Sequence, residues 1–210
     1  MVVEKFFVKE SIKKGQLEEF LREKFDKAGY SHIKIQRTPL GTRIIVYAYR
    51  PGLVIGKSGK RIKELTEEIK EKFDIENPML DVREVENPFL DAQIVANRIV
   101  KALERGVNYK KVGNYYLDKV TEAGAVGVEI RIAGKLGGER ARFQKFKKGY
   151  IKHSGYYTET LVSKGFATAL LKPGIVGVQV KILREMPTDL LIEEVEKGGD
   201  TESKEDKGNE

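Results

Sequence analysis

With 210 residues, the chain has room for one large domain or two small ones, each able to bury a core. It has no cysteine, which excludes disulfide frameworks, thiol catalysis and cysteine-containing zinc sites, and His32 and His153 have no partner His at ligand spacing, so any metal or His-based site would need carboxylates from elsewhere. The formal net charge of +7 conceals a segregation: the tail from Thr188 carries nine acids against three lysines, which leaves +13 on the residues before it.

A body that positive sets up a field of several kT that attracts phosphate backbones. No apolar run approaches the ~20 residues that span a bilayer, and Met1-Val2-Val3-Glu4-Lys5 lacks a signal peptide's apolar stretch. The expected setting is therefore cytoplasmic, with no membrane partner, no metal and no cofactor.

Leu17, Phe20, Leu21 and Phe25 recur at helical spacing, and Gly29 suits the left-handed position that ends a helix. The period then changes. His32 to Arg37 alternates around Ile33 and Ile35, Pro39-Leu40-Gly41 turns, and Arg43 to Tyr49 is β-branched and aromatic, which predicts a β-hairpin. After Pro51-Gly52 comes the short apolar piece Leu53-Val54-Ile55, then Gly56-Lys57-Ser58-Gly59. Ile62, Leu65, Ile69 and Phe73 predict a long helix starting at Lys60, and Met79 to Val85 supplies a third strand.

Asn87-Pro88 reads as an N-cap with proline at the first helical position, launching a linking helix through Leu90, Ile94, Ile99 and Leu103 to Gly106. A second unit opens near Tyr109 with a helix whose buried stripe is Val112, Tyr116 and Val120. Gly127 to Ala133 alternates Val128, Ile130 and Ile132 inward with Glu129 and Arg131 outward. Later strands are expected at about 146–152, 157–171 and 175–183. Four antiparallel strands with helices on one face make an α+β layer. Beyond Pro187, the Leu190-Leu191-Ile192 patch precedes a polar stretch whose last dozen residues are expected to be disordered.

The glycine loop carries the chemistry of the first half. Two glycines around two polar residues turn tightly and leave no side chain between backbone and ligand. The helix starting at Lys60 aims unsatisfied N–H groups and its positive dipole end at the same place. Arg50, Lys57, Lys60, Arg61 and Lys63 add five positive charges before the first acid, Glu64. Substituting Gly56→Asp with Gly59→Asp is expected to weaken binding of single-stranded RNA with the fold intact. Gly52 to Ser58 also approaches a P-loop, but it has three residues between its glycines where four are needed to wrap phosphates.

The order helix, strand, strand, short helix, GxxG, helix, strand resembles the type II KH fold. Arg50 to Ile62 is similar to the KH loop of the family of the third protein of the small ribosomal subunit. Gly124-Ala125-Val126-Gly127, Ala133 to Ala141, Ile151-Lys152-His153-Ser154-Gly155 and Gly174 to Val180 resemble that family's C-terminal domain, in order. His153-Ser154-Gly155 resembles its archaeal and eukaryotic branch.

The resemblance implies an α+β protein: a type II KH domain (three-stranded sheet with helices) over 1–86 and a linking helix over 87–107. A basic α+β domain with a four-stranded antiparallel sheet follows over 108–187, then an acidic tail over 188–210. It implies a structural, non-enzymatic constituent of the small ribosomal subunit that binds small-subunit rRNA, meets neighbouring small-subunit proteins and lies where mRNA enters. Lys110 and Lys111 match two positions of a basic cluster that engages incoming message; the third is Asn114, which puts helicase-like assistance in doubt.

From Arg131 to Arg184, twelve cations face only Glu139 and Glu159, a net +10. Candidate RNA contacts there are Arg131, Lys135, Arg140, Arg142, Lys145, Lys147 and Lys148, with Gly134 to Gly138 as a close-approach loop. Phe143, Phe146, Tyr150, Tyr156 and Tyr157 stack on unpaired bases or belong to the core. Glu129, Glu139 and Glu159 are isolated acids that serve as ion-pair partners or, on a nuclease or lyase reading, as catalytic groups. A stand-alone regulatory KH protein is the other alternative, and it leaves the basic second unit unused.

Overall fold

The computed structural model describes residues 2–38, 41–73, 75 and 77–186, without the side chains of residues 2–4, 6 and 58. The Pro39-Leu40 turn, the Leu190 to Ile192 patch and the acidic tail lie outside the described residues.

In the first unit, α1 (Val2–Phe25) runs through a 3-10 turn to Gly29, whose φ of 74° is the expected left-handed stop. Antiparallel β1 (Tyr30–Thr38) and β2 (Gly41–Ala48) form the hairpin. The short α2 (Pro51–Ile55), the glycine loop and α3 (Lys60–Phe73) lead to β3 (Met79–Glu84), which pairs parallel with β2. The resulting mixed sheet has the order β1-β2-β3. Leu17, Leu21 and Phe25 of α1 meet Leu65 and Ile69 of α3 over Ile44 and Val46, as the helical spacing requires.

The second unit holds α4 (Ala92–Glu104) and α5 (Tyr109–Glu122) against a sheet of β4 (Gly127–Gly134), β5 (Arg142–Gly149), β6 (Val162–Leu171) and β7 (Gly174–Leu183). The order is β5-β4-β7-β6, antiparallel throughout. Val128, Ile130 and Ile132 are fully buried, each stabilising by about 2 kcal/mol relative to an exposed position.

Four expectations are corrected. The helix after β3 begins at Ala92, because Asp91 caps it by accepting from the backbone N–H groups of Gln93 (3.0 Å) and Ile94 (3.1 Å). Asn87-Pro88 instead opens a turn closed by Leu90 N–H on the Asn87 carbonyl. This helix is no spacer: Ala92, Val95, Ala96 and Ile99 lie in the second core, and Gly165 in β6 lets it approach so closely that a methyl there would sit 2.2 Å from the Ala92 carbonyl oxygen.

The boundary of the strand expected at about 146–152 also moves. β5 starts at Arg142 and ends at Gly149, because its register comes from pairing with β4 rather than from its own sparse apolar residues. Where a strand from Tyr157 was expected, a helical turn, α6 (Tyr157–Thr160), precedes β6. Glu129 faces away from the core, as its alternation requires, and is only 5 % exposed. The segment after β5 brings His153 to 3.7 Å from it, and Lys145 lies at 2.9 Å.

The two units are joined by specific polar contacts. Ser31 donates to the Asp91 carboxylate, and Lys101 on α4 reaches both the carboxylate (3.0 Å) and the carbonyl (2.7 Å) of Asp26. Gln93 pairs both backbone groups of Phe166 on the edge strand β6, donating to its carbonyl (3.0 Å) and accepting from its N–H (3.2 Å). Arg22 of α1 donates to the same carbonyl.

Candidate nucleic-acid interface

The glycine loop has the geometry its residues demand. Gly56 N–H closes α2 on the Gly52 carbonyl (3.0 Å), and residues 57–59 make one 3-10 turn into α3. Gly56 and Gly59 both have φ of 72°, a conformation that side chains rarely adopt. No acid lies in the first turn of α3, so its dipole end stays positive.

Lys57, Lys60, Arg61 and Lys63 are exposed around the loop, and Arg50 stands just before α2. Arg61 is also structural: it donates to the Leu53 carbonyl (3.0 Å) and ties α2 to α3. The expectation that aspartates at both glycines would leave the fold intact is corrected, since a Cβ on Gly56 would meet the Arg61 Cβ at 2.8 Å.

Sequence reasoning missed the apolar shelf beside the loop. Of Leu53, Val54 and Ile55, only Val54 is buried; Leu53 and Ile55 are exposed. The signal was present, because three consecutive residues on one helical turn point in three directions.

The downstream candidates divide among four places. β-pairing puts Lys147, Glu129, Lys181 and Lys164 in one row across the outer sheet face, with Lys145, Arg131 and Gln179 in the next. Like charges sit directly opposite at Lys164 and Lys181 and at Lys145 and Arg131, which destabilises a sheet with no anion over it. Glu129 is the one acid in these rows, and it offsets Lys145.

Lys135 and Arg140 are exposed on the bend between β4 and β5, where Leu136 anchors the glycine-rich stretch to the core. Lys148 and Arg142 lie out of phase with Lys145 and Lys147 on β5, and Lys148 turns to Asp118 on α5 (2.9 Å). Lys110 and Lys111 are exposed in the first turn of α5, in the helical layer behind the sheet. The seventeen candidates therefore do not form one patch.

The aromatic alternatives resolve residue by residue. Phe146 is core, packed so tightly on Gly113 that a Cβ there would meet its ring at 2.5 Å. Phe143 is 63 % exposed beneath the Arg131 guanidinium (4.8 Å), and Tyr156 is 74 % exposed with an edge contact to Tyr157. Tyr150 is exposed and Tyr157 half-buried. Among the described residues no group of three or more His, Asp or Glu could hold a metal ion, and no helix is long and apolar enough to cross a membrane.

Two family profiles match the chain, one in each unit of the fold. The KH domain profile matches residues 16–90, and the profile of the ribosomal protein S3 C-terminal domain matches residues 99–182. The small ribosomal subunit protein uS3 of Methanocaldococcus jannaschii is 49% identical over 196 residues, covering 92% of this chain and 94% of the relative. Proteins of the same name from Methanocorpusculum labreanum (48% over 183 residues, 87% of this chain and 79% of the relative) and Methanoculleus marisnigri (46% over 183 residues, 87% and 78%) are also similar. The motif resemblance is confirmed, and with it a ribosomal rather than an enzymatic family. The chain belongs to the uS3 family of small ribosomal subunit proteins.

Proposed function

We propose that the chain is a structural constituent of the small ribosomal subunit that anchors on rRNA through the outer face of its second sheet. In this reading the KH loop and the start of α5 remain near incoming mRNA. The observation that carries it is the cross-strand arrangement of Lys147, Lys181, Lys164, Lys145 and Arg131, whose mutual repulsion calls for a polyanion above them. Phosphate contacts by these side chains set affinity and register, with shape rather than base edges selecting the site.

The glycine loop, with a half-exposed backbone and the apolar shelf of Leu53 and Ile55, suits a single strand better than a duplex. Lys110 and Lys111 place positive charge at the positive end of a helix, which costs stability and suits contact with message phosphates. Asn114 one turn on adds no charge, so this helix is assigned contact with message without unwinding. Neighbouring small-subunit proteins would meet what the RNA leaves free.

Cosedimentation of the full chain with small ribosomal subunits in sucrose gradients tests the proposal. Comigration at moderate salt that disappears steeply as salt rises is the expected result; recovery only among free proteins would sink it.

A further inference from the structure

Between the two units lies a cleft of about 650 Å³, within the size range of small-molecule sites. Its walls come from Lys27, Ala28 and Gly29 just after α1 and Tyr49-Arg50 of the first unit, from Phe89 at the junction, and from α4 and α5 of the second. No Asp or Glu lines it.

On its wall the Arg98 guanidinium lies 4.5 Å from the Tyr49 ring centroid and 4.9 Å from that of Phe89. Two rings thus hold one planar cation, which makes no salt bridge among the described residues. A side chain already immobilised loses little further freedom when it binds an anion. Lys27, Arg50, Lys101 and Arg105 add further positive charge to the walls. Tyr115, on α5, faces the same space and is 55 % exposed, far more than a tyrosine retained for packing requires.

Planar aromatic faces, fixed guanidinium groups and no acid suit a ligand that is itself a flat ring carrying phosphate. We infer that this cleft holds an unpaired nucleotide of an RNA strand, its base against Tyr115 and its phosphates on Arg98 and Arg105. The inference rests on the RNA-binding reading above and goes beyond it, because the cleft uses neither the glycine loop nor the outer sheet face. Arg50 lines the cleft and directly precedes α2, so a strand leaving the loop has a cationic path into it. Tyr49 and Arg50 of the first unit line the opposite wall, so a nucleotide there lies between the two units.

The test uses the full chain and two fluorescein-labelled probes, a decauridylate containing one 5-iodouridine and a ten-base-pair RNA duplex. Ultraviolet crosslinking of the decauridylate should map to Tyr115, Tyr49 or Phe89. The surface double variant Tyr115→Ala with Arg105→Gln should bind the single strand about tenfold more weakly and the duplex unchanged. Crosslinks confined to the loop and the outer sheet face, or undiminished single-strand affinity in the variant, would overturn the cleft while leaving the RNA reading standing. Uridine monophosphate binding as tightly as the decauridylate would also overturn it, by making the cleft a site for free nucleotides. An unaltered chain that binds neither probe defeats both readings together.

Discussion

On the proposed reading, the glycine loop and the outer sheet face would bind the same kind of polymer by opposite means. The loop is made from four consecutive residues, and its chemistry is backbone: two glycines in a left-handed conformation and the start of one helix. The face is made from side chains separated by up to 52 positions in the chain, from Glu129 to Lys181, and it exists only when four strands hold register. Local binding by shape survives damage to distant packing, whereas charge assembled across strands does not.

The sharpest way to separate them is Gly165→Ala. Its methyl would strike the Ala92 carbonyl, and the second unit should lose about 3 kcal/mol of stability. Thermal unfolding should show the loss, and the variant's remaining RNA binding should become less salt-dependent as the sheet face fails before the loop. An unchanged melting curve would mean that α4 does not rest on β6.

A smaller change sharpens the same contrast with opposite signs. Lys164→Glu replaces a repulsive pair with an attractive one across from Lys181, so stability should rise by about 0.5 kcal/mol. RNA affinity should nevertheless fall several-fold, and the slope of log affinity against log salt should shrink by about one. Affinity that follows stability upward would remove the face from the interface.

The smallest effect concerns the junction. Burial, followed in lesser measure by Lys34 and Arg184, lowers the pKa of His32 against the opposing pull of Asp91 and Glu18, and the ring stacks on Tyr47 at 4.3 Å. A histidine whose folded pKa is depressed contributes stability above its unfolded value of about 6.5, and that contribution is lost as pH falls through it. Melting temperature should therefore decline slightly from pH 7 to pH 5, and His32→Gln should flatten that decline.

Elements whose signal is local were legible in the sequence. The Leu17 to Phe25 spacing, the glycine loop and the alternation of Val176, Val178, Val180 and Ile182 each predicted the element found. The cap was misplaced because Asn87-Pro88 has the residues of a helix start but closes a turn, while Asp91 four residues on accepts from the N–H groups of Gln93 and Ile94. The edge strand β5 has no alternation of its own to read. Of the candidate site, the loop was visible because it is contiguous. The division of Lys145 and Lys147 from Lys148 depends on strand phase, and the cleft around Arg98 depends on how two units pack, so neither has a signature in one stretch of chain.

The pairing of Gln93 with Phe166 has a consequence for the life of the chain before it meets RNA. β6 ends its sheet, and an unsatisfied strand edge is a template for pairing with another chain. Here a glutamine amide imitates the missing neighbour strand at one residue, and Arg22 of the first unit reinforces it. Synthesis proceeds from the N-terminus, so α1 and α4 are complete before β6 emerges. Both guarding residues therefore already exist in the chain when the edge strand is made.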